Sequence, residues 1–129
     1  MKIKLLWAIL CLSLMGGEAV AEPIDVERLA NAIYKAEGGA KTKHPYGILT
    51  KYKHTTPRQA CINTINNQIK RHGAHKCGKD FITCLRDRYA PLGAGNDPSG
   101  LNAHWKSNVA RLYEKELKSE RVHNAINRA

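Results

Sequence analysis

Apolar residues in this chain return at three- and four-residue intervals and seldom alternate one-for-one with polar ones, a period that builds helices and leaves little for a sheet. Four stretches carry the pattern. Asp25 is placed to cap the first, whose Val26, Leu29, Ala30 and Ile33 share a face, and Gly38-Gly39 ends it, glycine being favoured just past a helix C-terminus. Thr56-Pro57-Arg58-Gln59 opens the second with a cap, a proline at the first helical position and a glutamine three residues after the cap. Ala60, Ile62, Ile65 and Ile69 are its apolar positions, and Gly73 stops it. A third, shorter helix is expected over about Lys79 to Tyr89, with Phe81 and Leu85 inward and Pro91 beyond its end. After the turn-rich PLGAGNDPSG, Asn102 is placed to cap a fourth helix through Trp105, Val109, Leu112 and Leu117; the polar tail after Glu120 is expected to fray. Residues 40–55 break the period, and HPYGILTKY predicts a loop or a small irregular β-hairpin after the first helix. The plan is mostly α and single-domain.

The N-terminus reads as an export signal. Lys2 and Lys4 precede an apolar run from Leu5 to Met15, and Ala19-Val20-Ala21 supplies the small-residue pattern of a cleavage site. The run is too short for a membrane span, and Cys11 lacks the context of a lipid-attachment site, so residues 1–21 are expected to be a cleaved signal and not an anchor. Residues 22–129 are then one domain, too short for two cores. Without Lys2, Lys4 and Glu18, the 21 basic and 11 acidic side chains become 19 and 10, a net charge of +9. Such a protein is drawn to polyanions, and export makes nucleic acid the least favoured of these. Cys61, Cys77 and Cys84 remain, and an oxidising compartment favours one disulfide and one leftover thiol. Cys77 with Cys84 is the shortest pairing, but Cys61 with either is open too.

Glu37 is the unusual acid. It lies four residues after Ile33 and seven after Ala30, at the end of the apolar stripe, where the negative pole of the helix disfavours a carboxylate. The glycines after it remove side-chain bulk. Burial and the helix dipole both disfavour ionisation, which is what a general acid needs to keep its proton near neutral pH. A protonated glutamate in an apolar niche is the group that cleaves glycosidic bonds.

In order along the chain, Ala36-Glu37-Gly38-Gly39, Tyr46-Gly47-Ile48-Leu49, Arg88-Tyr89-Ala90-Pro91, Asn96-Asp97, Gly100-Leu101-Asn102 and Trp105 resemble the lysozyme superfamily. The branch they are most similar to is that of the soluble lytic transglycosylases, with their phage and conjugation-associated relatives and small secreted bacterial lysozyme-like proteins. The resemblance implies a lysozyme-like domain with Glu37 as catalytic acid and base. It also implies that Tyr46, Gly47 and Ile48 border the groove, with Tyr89 near the cleft. Gly38 stands where the transglycosylases usually have serine, and Leu49-Thr50 where they have glutamine, changes that bear on contacts to sugar N-acetyl groups.

The implied substrate is the peptidoglycan glycan strand, cut at the β-1,4 bond between N-acetylmuramic acid and N-acetylglucosamine in the periplasm or outside the cell. The resemblance also admits a secretion or conjugation machine as partner. Hydrolysis would call for a partner carboxylate, for which Asp97 is the candidate; transglycosylation would not. Asn96-Asp97-Pro98-Ser99-Gly100 is also strong turn chemistry, which favours a structural role for Asp97. Asp80 and Asp87 look like helix-surface charges, Trp105 like a packing residue, and Thr64 to Gln68 like an ordinary polar helix face. His72, His75, Cys77 and Cys84 match no standard zinc spacing, so no metal or other cofactor is expected, and a monomer is. The same fold holding glycan or a partner without cutting it is the alternative.

Overall fold

The computed structural model describes residues 22–129, so the expected signal segment, with Cys11, lies outside the described residues. Four helices follow one another: α1 (Val26–Ala36), α2 (Pro57–Gly73), α3 (Phe81–Tyr89) and α4 (Asn102–Arg128). Two 3-10 turns, Gly39–Lys41 and Pro45–Gly47, fill the segment after α1, and no strand occurs among the described residues. The hairpin alternative is therefore excluded there. Tyr46 and Gly47 both take left-handed backbone, φ 69° and 65°, which no extended strand accommodates.

The helix starts follow the caps in the sequence at two places. Asp25 accepts from the Arg28 amide at 3.0 Å, and Thr56 accepts from the Gln59 amide at 3.1 Å. Three expectations are corrected. Asp80 is not a loose surface charge but the cap of α3, accepting from the Thr83 amide and hydroxyl at 3.1 and 2.6 Å. The Thr83 hydroxyl above all, helped by Lys106, holds its carboxyl far below the usual range. At α4 the capping acid is Asp97, whose two oxygens accept from the Leu101 and Asn102 amides at 2.8 Å each, while Asn102 turns its amide to the Pro91 carbonyl. Nor does α4 fray after Glu120; it continues to Arg128, 27 residues in all, or about 40 Å.

α1 lies at the centre, packed along α4 and against α2 and the second 3-10 turn. Leu29 and Ile33 of α1, Cys61 and Ile65 of α2, Leu85 of α3 and Val109 of α4 are sealed from solvent in one cluster. Outside it, Arg28 pairs with Glu120 at 2.8 Å, Lys35 pairs with Glu116, and the Asp25 amide donates to the Tyr113 hydroxyl at 2.9 Å, so α1 and α4 are stitched along their length. Gln68 faces inward, 1% exposed, and its amide finds no partner among the described residues, contrary to the expected polar face.

The cysteines resolve to a Cys77–Cys84 disulfide with Cys61 free and buried. The bridge ties the loop after α2 to α3 across a separation of 7 residues, a closure worth about 2.4 kcal/mol. Burial pushes the Cys61 thiol up to about 11, which leaves it protonated and unreactive. His72 has a ring nitrogen 3.0 Å from the Lys79 carbonyl, so it is not gathered with thiolates. Among the described residues no helix is long and apolar enough to cross a membrane.

Candidate functional site

The last turn of α1 sets Glu37. Its amide still bonds to the Ile33 carbonyl at 2.9 Å, and its φ/ψ of −83° and 5° has already left the helix. Gly38, at φ 91°, turns the chain away in a conformation that a side chain would strain. The carboxyl is left half-buried at the end of the core stripe, facing the second 3-10 turn and α4.

Two neighbours define its surroundings. A Cβ on Gly47 would lie 2.7–2.9 Å from the carboxyl carbon and both its oxygens, so only glycine lets this backbone approach. The Trp105 indole N–H donates to Glu37 Oε1 at 2.7 Å. No lysine or arginine pairs with Glu37 among the described residues. Burial raises the pKa of the acid above its ordinary value, and the Trp105 hydrogen bond, which favours the ionised form, opposes this only in part.

Behind these neighbours stands an aromatic relay. Trp105 stacks on Tyr89 with ring centroids 5.4 Å apart, and the Tyr89 hydroxyl donates to the Tyr46 carbonyl. Tyr46 packs its ring on Tyr34, and its hydroxyl accepts from Arg58 Nη1 at 3.0 Å. Arg58 also donates to Asn31 at 3.0 Å and pairs with Glu27. The left-handed Tyr46 is thus held from three sides, a strained position of the kind that needs such support. It delivers Gly47 to the acid.

Glu37 opens into a cleft. On one side a cavity of about 440 Å³ is lined by Glu37, Leu101, Asn102, His104, Trp105 and Asn108. On the other, a cavity of about 420 Å³ is lined by residues that include Glu37, Gly47, Leu49, Tyr89, Asn96 and Asn102. Both share Glu37 and Asn102, so the carboxyl stands at their junction. Glu37 is the one carboxyl among the described residues lining either. The arrangement can hold a proton, release it to an oxygen seated beside Gly47, and offer side-chain amides to a polar ligand.

The expected site residues separate into two groups. Glu37, Gly47 and Tyr89 come together at the cleft. Tyr46 does not border it: its ring is 8% exposed and belongs to the core, and only its backbone serves the site. Ile48 lines a neighbouring cavity without Glu37. Asp97 spends both oxygens on the start of α4, so turn and cap chemistry accounts for it. The Tyr89 hydroxyl goes to Tyr46 and not to Glu37.

Trp105 was expected only to pack. It does pack, at 6% exposure, but it also holds the acid. The signal for that second role was its indole N–H, which requires a partner once buried. His104 and Asn108 carry no sequence signal of a site, and the first turns of α4 bring them to the cavity beside Asn102. No protein family, curated protein or solved structure matches this chain.

Proposed function

We propose that the chain is an exported peptidoglycan-cleaving enzyme with a lysozyme-like domain, acting in the periplasm or outside the cell with Glu37 as general acid and then base. One observation carries the reading. A carboxyl whose pKa is raised by burial, with no cation paired to it among the described residues, stands at the junction of two open cavities against a glycine backbone. A structural carboxylate would be paired or capped, as Asp80 and Asp97 are.

The site favours transglycosylation over hydrolysis. Glu37 gives its proton to the glycosidic oxygen as the bond from that oxygen to C1 of the muramyl sugar breaks. The muramyl C6 hydroxyl then attacks C1 and returns its proton to the Glu37 carboxylate, closing a 1,6-anhydro ring. One carboxyl serves both halves. A hydrolytic route calls for a second carboxylate flanking the bond, and the candidate, Asp97, is occupied by backbone amides. The enzyme's role is then local opening of the wall for a secretion or conjugation machine, or remodelling of the wall during growth.

The test is release of muropeptides from purified sacculi by the wild type and by Glu37→Gln. Release by the wild type alone, with both proteins binding walls, is the expected result; mass spectrometry should find anhydro ends. Binding by both with release by neither would replace the enzyme by a non-catalytic wall-binding module.

A further inference from the structure

Charge in this molecule is concentrated in one segment. Residues 38–79 hold nine lysines and arginines and no aspartate or glutamate, whereas residues 22–37 and 80–129 together hold ten of each sign. The whole net charge therefore sits on the segment after Glu37 and on α2. Its front edge, residues 41–54, exposes Lys41, Lys43, His44, Lys51, Lys53 and His54, and none of those four lysines has an ion-pair partner among the described residues.

This edge is shaped as well as charged. Lys43, His44, Ile48, Leu49, Lys51 and Tyr52 are among the residues lining a cavity of about 350 Å³. It shares His44 and Leu49 with the cavity that holds Glu37, so this trough adjoins that cavity. Leu49 and Tyr52, 58% and 53% exposed, set apolar surface between the lysines. Lys43 and Lys51 each lie four residues from Gly47, so the Cα of either is within about 14 Å of the backbone that touches the acid.

We propose that this trough is an accessory subsite for the acidic stem peptides carried by the glycan, which makes peptide-bearing strands the preferred substrate. The inference rests on the glycan-cleaving reading above. Because the trough adjoins the acid's own cavity, a part of the molecule being cut can reach it. A stem peptide leaves the muramyl sugar next to the scissile bond, and three extended residues of it span about 10 Å. Its carboxylates suit unpaired lysines, and its alkyl carbons suit Leu49 and Tyr52; a bare phosphate or sulfate polymer would have no use for the apolar surface.

The experiment compares soluble glycan oligomers with stem peptides against the same oligomers stripped of them by an amidase. The wild type should show a kcat/KM about tenfold higher for the peptide-bearing form. Lys43→Ala with Lys51→Ala should bring that ratio near one. Lys70→Ala with Lys76→Ala removes the same charge at the far end of α2 and should leave the ratio as in the wild type. A wild-type ratio of one, or a ratio equally lowered by both pairs, overturns the subsite while leaving the enzyme. If the wild type cuts neither oligomer, the glycosidase reading fails. Binding of the two oligomers to Glu37→Gln, with and without the Lys43 and Lys51 changes, then decides the subsite separately. Stem-dependent binding lost with the lysines supports it, and equal binding overturns it.

Discussion

Along one side of the cleft, α1 and α4 bury Leu29, Ile33 and Trp105 and close over a carboxyl; along the other, residues 41–54 hold out in solvent four lysines with no ion-pair partner among the described residues. The first wall is packed and tied by the ion pairs Arg28–Glu120 and Lys35–Glu116. The second is irregular, made of two 3-10 turns and a loop, and carries charge without counter-charge. Proton chemistry is served by the first kind of wall, because removal from water raises the pKa of a carboxyl. Recognition of an anionic ligand is served by the second, where a lysine keeps its charge and stays accessible.

The comparison is broken hardest at Glu37. Glu37→Gln should lower wall cleavage by about 10²- to 10⁴-fold, the usual contribution of a general acid. Its effect on stability has the opposite sign. A raised pKa in the folded state means that the fold is favoured by the proton: this stability is complete below the ordinary value of 4.5 and is lost as pH rises through the raised value. The neutral amide should therefore give a higher Tm than the wild type at pH 7, with the gap closing toward pH 4. Thermal melts across that range check it, and a lower Tm at pH 7 would contradict a strained, buried acid.

Gly47→Ala should come next, with a loss of stability of about 2 kcal/mol from the left-handed backbone and a drop in cleavage of at least about tenfold as the added methyl displaces the carboxyl. Denaturant melts read the first and sacculus assays the second. Trp105→Phe sharpens the comparison. It keeps most of the packing but removes a hydrogen bond that favours the ionised acid. The Glu37 pKa should move further up, so the descending limb of the pH–rate profile should shift toward higher pH. A limb that stays in place would mean that the indole does not reach the acid in solution. The smallest effect belongs to the charged wall. Raising salt from 50 to 200 mM should weaken binding of anionic fragments to the lysines several-fold while leaving the Tm nearly unchanged, because exposed charges are screened and buried packing is not.

Much of the helical plan was legible because it is local. Asp25, the Thr56-Pro57 start, the Gly73 stop and the inward Leu85 follow from caps and spacing that act within a turn or two. The inward aim of Glu37 was legible for the same reason, lying one helical turn past Ile33. Legibility stopped where several segments meet. The resemblance implied that Tyr46 borders the cleft, but a left-handed backbone turns its ring into the core and presents Gly47 instead. Gln68 looked polar and solvated, yet the packing of α2 turned it inward. Asn102 was the obvious cap for α4, and the loop handed that task to Asp97.

By itself, the sequence determined that this chain is helical, where most helices begin and end, and that one acid sits at the end of a buried stripe. Each of these depends on groups a few residues apart, whose geometry the backbone period fixes. Only the tertiary structure decided which cysteines join, that Trp105 holds the acid, and that the basic edge lies beside the acid's cavity. Those depend on distances between residues as far apart as Glu37 and Trp105, and such distances exist only once burial of the common core has set the helices against one another.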